Sequence, residues 1–324
     1  MTKSMYQVVA DLDKHIPPSI HLQPTPTNLP SFPYQDNHTL LTNYHAFHVN
    51  GIPCILGYIP NTLVATFPWP HDVWTIDPTT PSITLMTPPT ATAASRTATL
   101  APTIRQMATQ HIFTGWRDET FPIYGPNGEV VVEIERAASA LFGIVTYGVQ
   151  MLCYTEDNTG VQLWIAKRSS RKQTYPGMLD TTAAGGLGTG SLPREAIVRE
   201  ATEEASIPGE VLERELRYVD RISYFHVKKK GMELLQPEVE YLFELKLGEG
   251  MVPVPTDEEV EDFRLWRPDQ VREALGRGEF KPNSAVVVVD FLLRRGLLGD
   301  DAEGIHDRLH RILPLPVVDH GMSR

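Results

Sequence analysis

Apolar and polar positions change period along this chain, and the changes mark out its elements. Alternation with β-forming residues predicts short strands at Tyr44–Val49 and 52–58, around Gly51. Alternation returns at 121–123 and 130–134, on either side of the turn Gly125-Pro126-Asn127-Gly128. It returns again at 144–154 and 161–166, on either side of the polar turn 156–160. Residues 216–227 and 239–247 read as two more strands, connected through the basic, glycine-containing Lys228-Lys229-Lys230-Gly231. A 3.6-residue spacing predicts helices over 96–111, 192–207, 268–275 and 284–295. The last carries apolar residues on several sides, from Val286 to Val289 and at Phe291, Leu292 and Leu293, so it is expected to be buried. The Pro/Thr-rich stretch 77–94 reads as a loop or strand edge, and 17–33 as extended coil.

Strands flanked by helices in this order predict an α/β (α+β) chain: a mixed sheet between helices, preceded by a smaller α+β unit. The length of 324 residues suits two domains. The expected boundary gives 1–140, an N-terminal α+β domain with a Pro-rich leader, and 141–324, the main domain.

Composition narrows the function classes. Hydrophobic residues at 41% and charged residues at 21% describe a globular chain. A net charge of −11 argues against a basic nucleic-acid surface and offers little to an anionic membrane. Cys54 and Cys153 make no disulfide framework and no metal spacing. The first sixteen residues mix Asp11 and Asp13 with Lys3 and Lys14, unlike a signal or transit peptide. No apolar run approaches the roughly 18 residues of a membrane span. A cytoplasmic protein is expected, without nucleic-acid or membrane partners and with a homodimer left open.

The densest chemistry lies at 185–207. Glycines at 185, 186, 188 and 190 lead into the helix that carries Glu200, Glu203 and Glu204. Carboxylates at i, i+3 and i+4 share one arc of a helix and repel one another. A hard divalent cation would relieve that repulsion. A solvated acidic face is the commoner meaning of the glutamate spacing alone. Pro193 suits the first turn, with Ser191 before it as the expected N-cap.

The same segment resembles the Nudix box, G-x5-E-x7-R-E-U-x-E-E-x-G-U with U apolar. Gly185 takes the first glycine, and Arg199, Glu200, Glu203, Glu204 and Ile207 take their places. Two positions depart: Ser191 replaces the first Glu, and Ser206 the later Gly. Ser191 is either a helix cap or a carboxylate lost from the metal site. The flanking sequence resembles a fungal and plant subfamily that is similar to the region preceding the kinase domain of some thiamine pyrophosphokinases. Tyr175-Pro176-Gly177-Met178-Leu179-Asp180, Phe280-Lys281-Pro282-Asn283 and Gly115-Trp116-Arg117-Asp118-Glu119 carry that likeness. Kinase activity is not expected, because the chain ends soon after the Nudix region.

The resemblance implies a Nudix α/β/α sandwich and a metal-dependent pyrophosphatase using Mg2+ or Mn2+. Its substrate would be a small-molecule diphosphate, thiamine diphosphate or a damaged analogue, cut to the monophosphate and phosphate. An isoprenoid diphosphate, a nucleotide sugar, or a non-catalytic diphosphate-binding module are the alternatives. Glu200, Glu203 and Glu204 would hold metal, with the Ala184 carbonyl as a further ligand. Arg199 would orient the glutamates; a plain helix salt bridge is the other reading. Gly185 and Gly186 would admit the substrate's phosphates. A further acid is sought outside the box: Glu240 or Glu238, which share a strand face, or Glu259 in the acidic run 257–262, which otherwise reads as a solvated loop. Lys167 and Arg168 end a strand just before the box and are either phosphate ligands or surface cations. His306 and His310 have zinc-pair spacing but no third ligand nearby, so a solvated helix is favoured.

Overall fold

The structure is a computed structural model that describes residues 2–13, 42–230, 232–256, 258–310, 313 and 315–322. The coil expected at 17–33 lies outside the described residues. Helix α1 (Met5–Leu12) precedes a four-stranded sheet of β1 (Tyr44–Val49), β2 (Gly57–Pro60), β3 (Trp74–Asp77) and β4 (Ser82–Leu85). The strand order is β2-β1-β4-β3, and β1 and β4 are parallel. The strand expected from residue 52 begins only at Gly57. The chain turns at Gly51 with φ +83°, and Pro53 can donate nothing to a ladder. The stretch expected as a loop or strand edge at 77–94 holds β4, which lies inside the sheet with Ile83 and Leu85 fully buried. Helices α2 (Asn61–Thr66), α3 (Ala93–Thr109) and α4 (Ser139–Phe142), with the hairpin β5 (Thr120–Tyr124) and β6 (Val130–Glu135), complete this region. Its core centres on Phe47, Trp69, Trp74 and Phe142, with Trp69 and Trp74 edge-to-face at 4.8 Å.

A seven-stranded mixed sheet follows. Its strands are β7 (Thr146–Asp157), β8 (Gly160–Arg168), β9 (Leu179–Asp180), β10 (Ala183–Gly186), β11 (Arg217–Lys230), β12 (Met232–Lys246) and β13 (Val260–Trp266). The main order is β11-β12-β7-β8-β13; β10 pairs with β7 and β9 with β8. Only β12 and β7 run parallel. The α/β/α sandwich follows from the strand alternation. Tyr147, Val149, Met151 and Cys153 on β7 join Val239, Tyr241 and Phe243 on β12 in a core covered by α5 (Pro193–Ala205) and α6 (Gly209–Glu215). The opposite face is covered by α1, α7 (Pro268–Arg277), α8 (Pro282–Arg294) and α9 (Ile305–Leu309). Helix α8 is buried along nearly its whole length, as its apolar sequence predicts.

The two neighbouring central strands break their alternation in one place. On the α8 side, Thr146, Gly148 and Gln150 of β7 stand beside Glu238 and Glu240 of β12 where a core would have apolar residues. Polar residues on the inner face of a central strand are a departure that packing does not require.

Helix α1 has the pattern Met5, Val8, Val9, Leu12 on one buried face, and Ser4 caps it by accepting from the Gln7 N–H at 3.2 Å. The buried Asp13 just beyond it accepts from Arg308 Nε at 3.2 Å and from the Phe225 N–H at 3.1 Å. The first residues of the chain therefore pack on the seven-stranded sheet, beside the C-terminal helix.

Candidate functional site

Helix α5 begins at Pro193, where the missing N–H costs nothing. Its N-cap is Leu192, not Ser191. Leu192 has extended backbone, and its carbonyl accepts from the Ala196 N–H at 2.9 Å. Ser191 sits one residue too early, with its own N–H turned back to the Gly188 carbonyl at 3.1 Å. The cap explanation for this substitution is thereby removed. At the other end Ser206 takes φ +53°, the left-handed conformation that favours glycine. Its hydroxyl bonds to Thr256.

Two of the glutamates lie against the glycine strand. A methyl group on Gly185 would stand 2.4 Å from Glu200 Oε1 and 2.6 Å from its Cγ, so only glycine leaves room for this carboxylate. Glu204 accepts from the Ala184 N–H at 3.0 Å, which turns the main chain of β10's free edge toward the helix. Arg199 reaches back to Glu200 at 3.0 Å, and Glu203 is exposed on the same arc. Burial raises the Glu200 carboxyl, with Arg199 opposing and Glu203 and Glu259 adding repulsion. Burial raises Glu204 to about 8, the Ala184 hydrogen bond opposing it and Asp180 and Glu200 adding.

Glu240 stands on the other face of the sheet. It lies over Gly148, where an added methyl would be 2.3 Å from Oε2. Tyr224 donates to Glu238 at 2.6 Å and to Glu240 at 2.9 Å, and Asn283 donates to Glu240 at 3.2 Å. Burial, then repulsion from Glu238, raises Glu240 to about 7 against the pull of Lys281. The structure thus separates Glu240 from the helix glutamates. Its strand position has the parity of Gly148, and α5 covers the opposite parity.

Glu259 instead comes near Glu200. The acidic run is solvated, as expected, with Glu258, Glu259 and Glu261 all exposed, but it is loop only up to Val260, which starts β13, and its carboxylates pair with a basic segment. Lys167 pairs with Glu261 at 2.6 Å, Arg171 with Glu258 at 2.9 Å, and Lys172 with Glu259. Asp257 lies outside the described residues. Arg168 is buried against Asp180 at 2.6 Å and also donates to the carbonyls of Thr174 and Tyr175. Asp180 is held low despite burial, by Lys281 and Arg168. Arg168 therefore fixes the loop 168–180, while Lys167 is paired across β8 and β13 with the exposed Glu261.

Sequence reasoning passed over the contribution of the N-terminal half. Thr120 meets the glycine loop, accepting from the Thr189 N–H at 2.9 Å, and the two hydroxyls are 3.1 Å apart. Glu119 stands beside Gly188, and Arg136 pairs with Glu119 at 2.7 Å. The Arg136 guanidinium lies over Gly186, 3.4 Å from where a methyl would be. The one available signal was Glu119 itself, at the end of the stretch 115–119.

Oxygen donors held partly out of water and repelling one another fit a hard divalent cation, so Glu200, Glu203 and Glu204 fit that group. Among the described residues, no three His, Cys, Asp or Glu side chains converge as a ready ligand set. His306 and His310 stack at 4.4 Å, but His310 bonds to the buried Asp290 at 2.9 Å, a structural use. Among the described residues, no helix is long and apolar enough to cross a membrane.

Residues 146–286 match the family model of the NUDIX domain. Residues 33–146 match a domain of unknown function, DUF4743. The chain is 36% identical over 219 residues to an uncharacterized protein of Saccharomyces cerevisiae, covering 63% of this chain and 64% of that one. It is 36% identical to "Nudix hydrolase 20, chloroplastic" of Arabidopsis thaliana, over 67% of this chain and 58% of the relative. The chain thus spans about three fifths of the length of these curated relatives. A solved structure from Deinococcus radiodurans is matched over 97% of its length by 52% of this chain, at 21% identity and a TM-score of 0.40. The NUDIX match spans the whole carboxylate helix and the glycine strand, while Glu119, Thr120 and Arg136 lie in the DUF4743 match.

Proposed function

We propose that this chain is a metal-dependent pyrophosphatase that cleaves a small organic diphosphate to the monophosphate and phosphate. The observation that carries this reading is the seating of Glu200 over Gly185 and of Glu204 on the Ala184 N–H, inside a NUDIX match. Glu200, Glu203 and Glu204 would hold Mg2+ or Mn2+. The bound ion supplies neutralisation of diphosphate oxygens and acidifies the attacking water. Arg199 restrains Glu200, and the Ala184 N–H restrains Glu204, so the carboxylates meet the ion from fixed directions. Water attacks phosphorus, the bridging P–O bond breaks, and the leaving oxygen departs with the organic group.

Thiamine diphosphate or a damaged analogue is the proposed substrate. The support is the subfamily likeness of 175–180, 280–283 and 115–119, with Leu179 bridging to Phe280 and Glu119 standing beside Gly188. Glu259, through its proximity to Glu200, is the proposed further acid. The division near residue 140 is part of the same proposal. It is supported by two family matches that meet at residue 146.

A non-catalytic diphosphate-binding module is the second reading, favoured by Ser191, which the structure shows is not a helix cap. Hydrolysis of thiamine diphosphate and an isoprenoid diphosphate, read as phosphate release, and of a nucleotide sugar, read as nucleoside monophosphate release, with and without Mg2+ or Mn2+, separates the two. Metal-dependent turnover with the highest kcat/KM on thiamine diphosphate is expected. Binding without turnover on any of them would replace the enzyme reading with the module.

A further inference from the structure

The Nudix-type reading leaves one role without a residue. A diphosphate brings charge beyond what a metal site neutralises, and phosphate sites recruit guanidinium groups for it. The basic residues near the glycine strand each pair with a carboxylate, as Arg136 does with Glu119; what sets Arg136 apart is that its guanidinium stands over Gly186. Lys167 pairs with Glu261, Lys172 with Glu259, Arg168 is buried on Asp180, and Arg199 lies along Glu200.

The free edge of β10 has a cation beside it from the other domain. Arg136 follows β6, and its main-chain N–H donates to the Glu119 carbonyl at 2.8 Å. That bond places its side chain over Gly186, with Nη2 at 3.4 Å and Phe121 at 3.3 Å from the position of a missing Cβ. The guanidinium stacks above Phe121 at 5.4 Å from the ring centroid, and Arg136 keeps about 40% of its side chain exposed. Gly186 pairs in register with Gly148, so Arg136 and Glu240 stand over adjacent glycines on one sheet face. Glu200 lies over Gly185 on the opposite face. The edge between them turns main chain outward, as the Ala184 N–H shows. By strand alternation the Gly186 N–H turns the same way.

We propose that Arg136, supplied by the DUF4743 region, is a substrate-contacting residue that binds the diphosphate across the Gly186 edge of the NUDIX site. The carboxylates hold one side of the diphosphate through the metal, and the guanidinium holds the other directly. This assigns the N-terminal region a part in the site, so the NUDIX domain alone is an incomplete one. Its Glu119 partner is a solvated carboxylate that a phosphate can replace at the same guanidinium.

The inference rests on the pyrophosphatase reading, and the test keeps the two apart. Full-length wild type, Arg136→Ala, Arg136→Lys and Glu119→Gln are compared for binding of methylene diphosphonate with Mg2+, and for kcat and KM on the best diphosphate of the panel. Loss of a charge-assisted contact predicts about tenfold to hundredfold weaker diphosphonate binding and higher KM in Arg136→Ala, with smaller change in kcat. Arg136→Lys restores part of the loss. Glu119→Gln frees the guanidinium and leaves binding equal or tighter, whereas a purely structural ion pair makes it fail in parallel with Arg136→Ala. Wild-type binding and turnover with an unchanged Arg136→Ala overturns the Arg136 assignment alone. A wild type that neither binds nor cleaves any diphosphate overturns the pyrophosphatase reading, and this one with it.

Discussion

Gly148 on β7 and Gly186 on β10 are register partners, and the absence of a side chain at each leaves room for a charged group, Glu240 over the first and Arg136 over the second. Gly185, one residue away, does the same for Glu200 on the other face. Gly148 and Gly185 are therefore fixed by the carboxylates above them and not by turn geometry, since neither has a positive φ, whereas a methyl at Gly186 would only be in close contact with Phe121 and Arg136.

The two faces predict different defects. Gly185→Ala forces Glu200 aside while Glu200 borders solvent. Turnover should fall by about tenfold to hundredfold with little change in melting temperature. Gly148→Ala pushes Glu240 into its buried contacts with Tyr224 and Asn283, so it should cost about 1–3 kcal/mol of stability. Kinetics and thermal melts on both variants check this; equal effects of the two would contradict the assignment of the faces.

Ser191 stands where the box has a carboxylate and does not cap the helix. Ser191→Glu puts an anion just before the α5 N-terminus, where the helix dipole favours it by about 0.3–1 kcal/mol. Tighter Mg2+ binding by titration calorimetry is the expected result. Unchanged affinity would show that position 191 lies outside the metal's reach.

The buried Asp13–Arg308 pair joins the first helix to the last. Removing the guanidinium takes one partner from a buried carboxylate, which costs up to about 3–5 kcal/mol. Arg308→Met should lower the denaturation midpoint accordingly and expose α1 to proteolysis. A variant as stable as the wild type would mean that α1 is held by its apolar face alone.

His310 gives a pH signature away from the carboxylate helix. Burial opposes its protonation, but the hydrogen bond and charge of Asp290, with Asp220, outweigh it and raise its pKa above 6.5. Asp290 is lowered below 3.8: burial opposes, and His310 and Arg294 prevail. The His310 contribution is therefore complete below its unfolded value of 6.5 and is lost as pH rises through the folded value. The Asp290 contribution is complete above 3.8 and is lost as pH falls through its folded value. Melting temperature measured from pH 4 to 9 should fall on the alkaline side in the wild type more than in His310→Gln. Parallel curves would remove His310 from the account.

Much of the C-terminal half was legible because its signals are local. The polar turn between β7 and β8, the 3.6-residue period of α5 and the apolar run of α8 each act within a dozen residues. Glu238 and Glu240 were readable as sharing a face, because strand parity is fixed by the backbone. Which face that is depends on where α5 docks, and the local sequence does not carry it. The glutamates of α5 and the Glu259 segment meet only through pairing of β13 with β8, across about ninety residues. Arg136 was missed for the same reason: its sequence neighbours are an ordinary strand end, and its meaning comes from Gly186, fifty residues on. Helix α1 was missed although Ser4 and the Met5, Val8, Val9, Leu12 pattern announced it. At eight residues it is too short to be stable without the face it docks on.

The central claim is that the α5 carboxylates carry metal-dependent diphosphate cleavage, and Glu203 tests it with the least structural disturbance because it is exposed. The measurement is diphosphate hydrolysis by wild type and Glu203→Gln across a Mg2+ titration, on the best diphosphate of the panel. The account predicts strict metal dependence in the wild type and a fall in kcat of about a hundredfold or more in Glu203→Gln, at unchanged melting temperature. Turnover by Glu203→Gln equal to the wild type at saturating Mg2+ would contradict it.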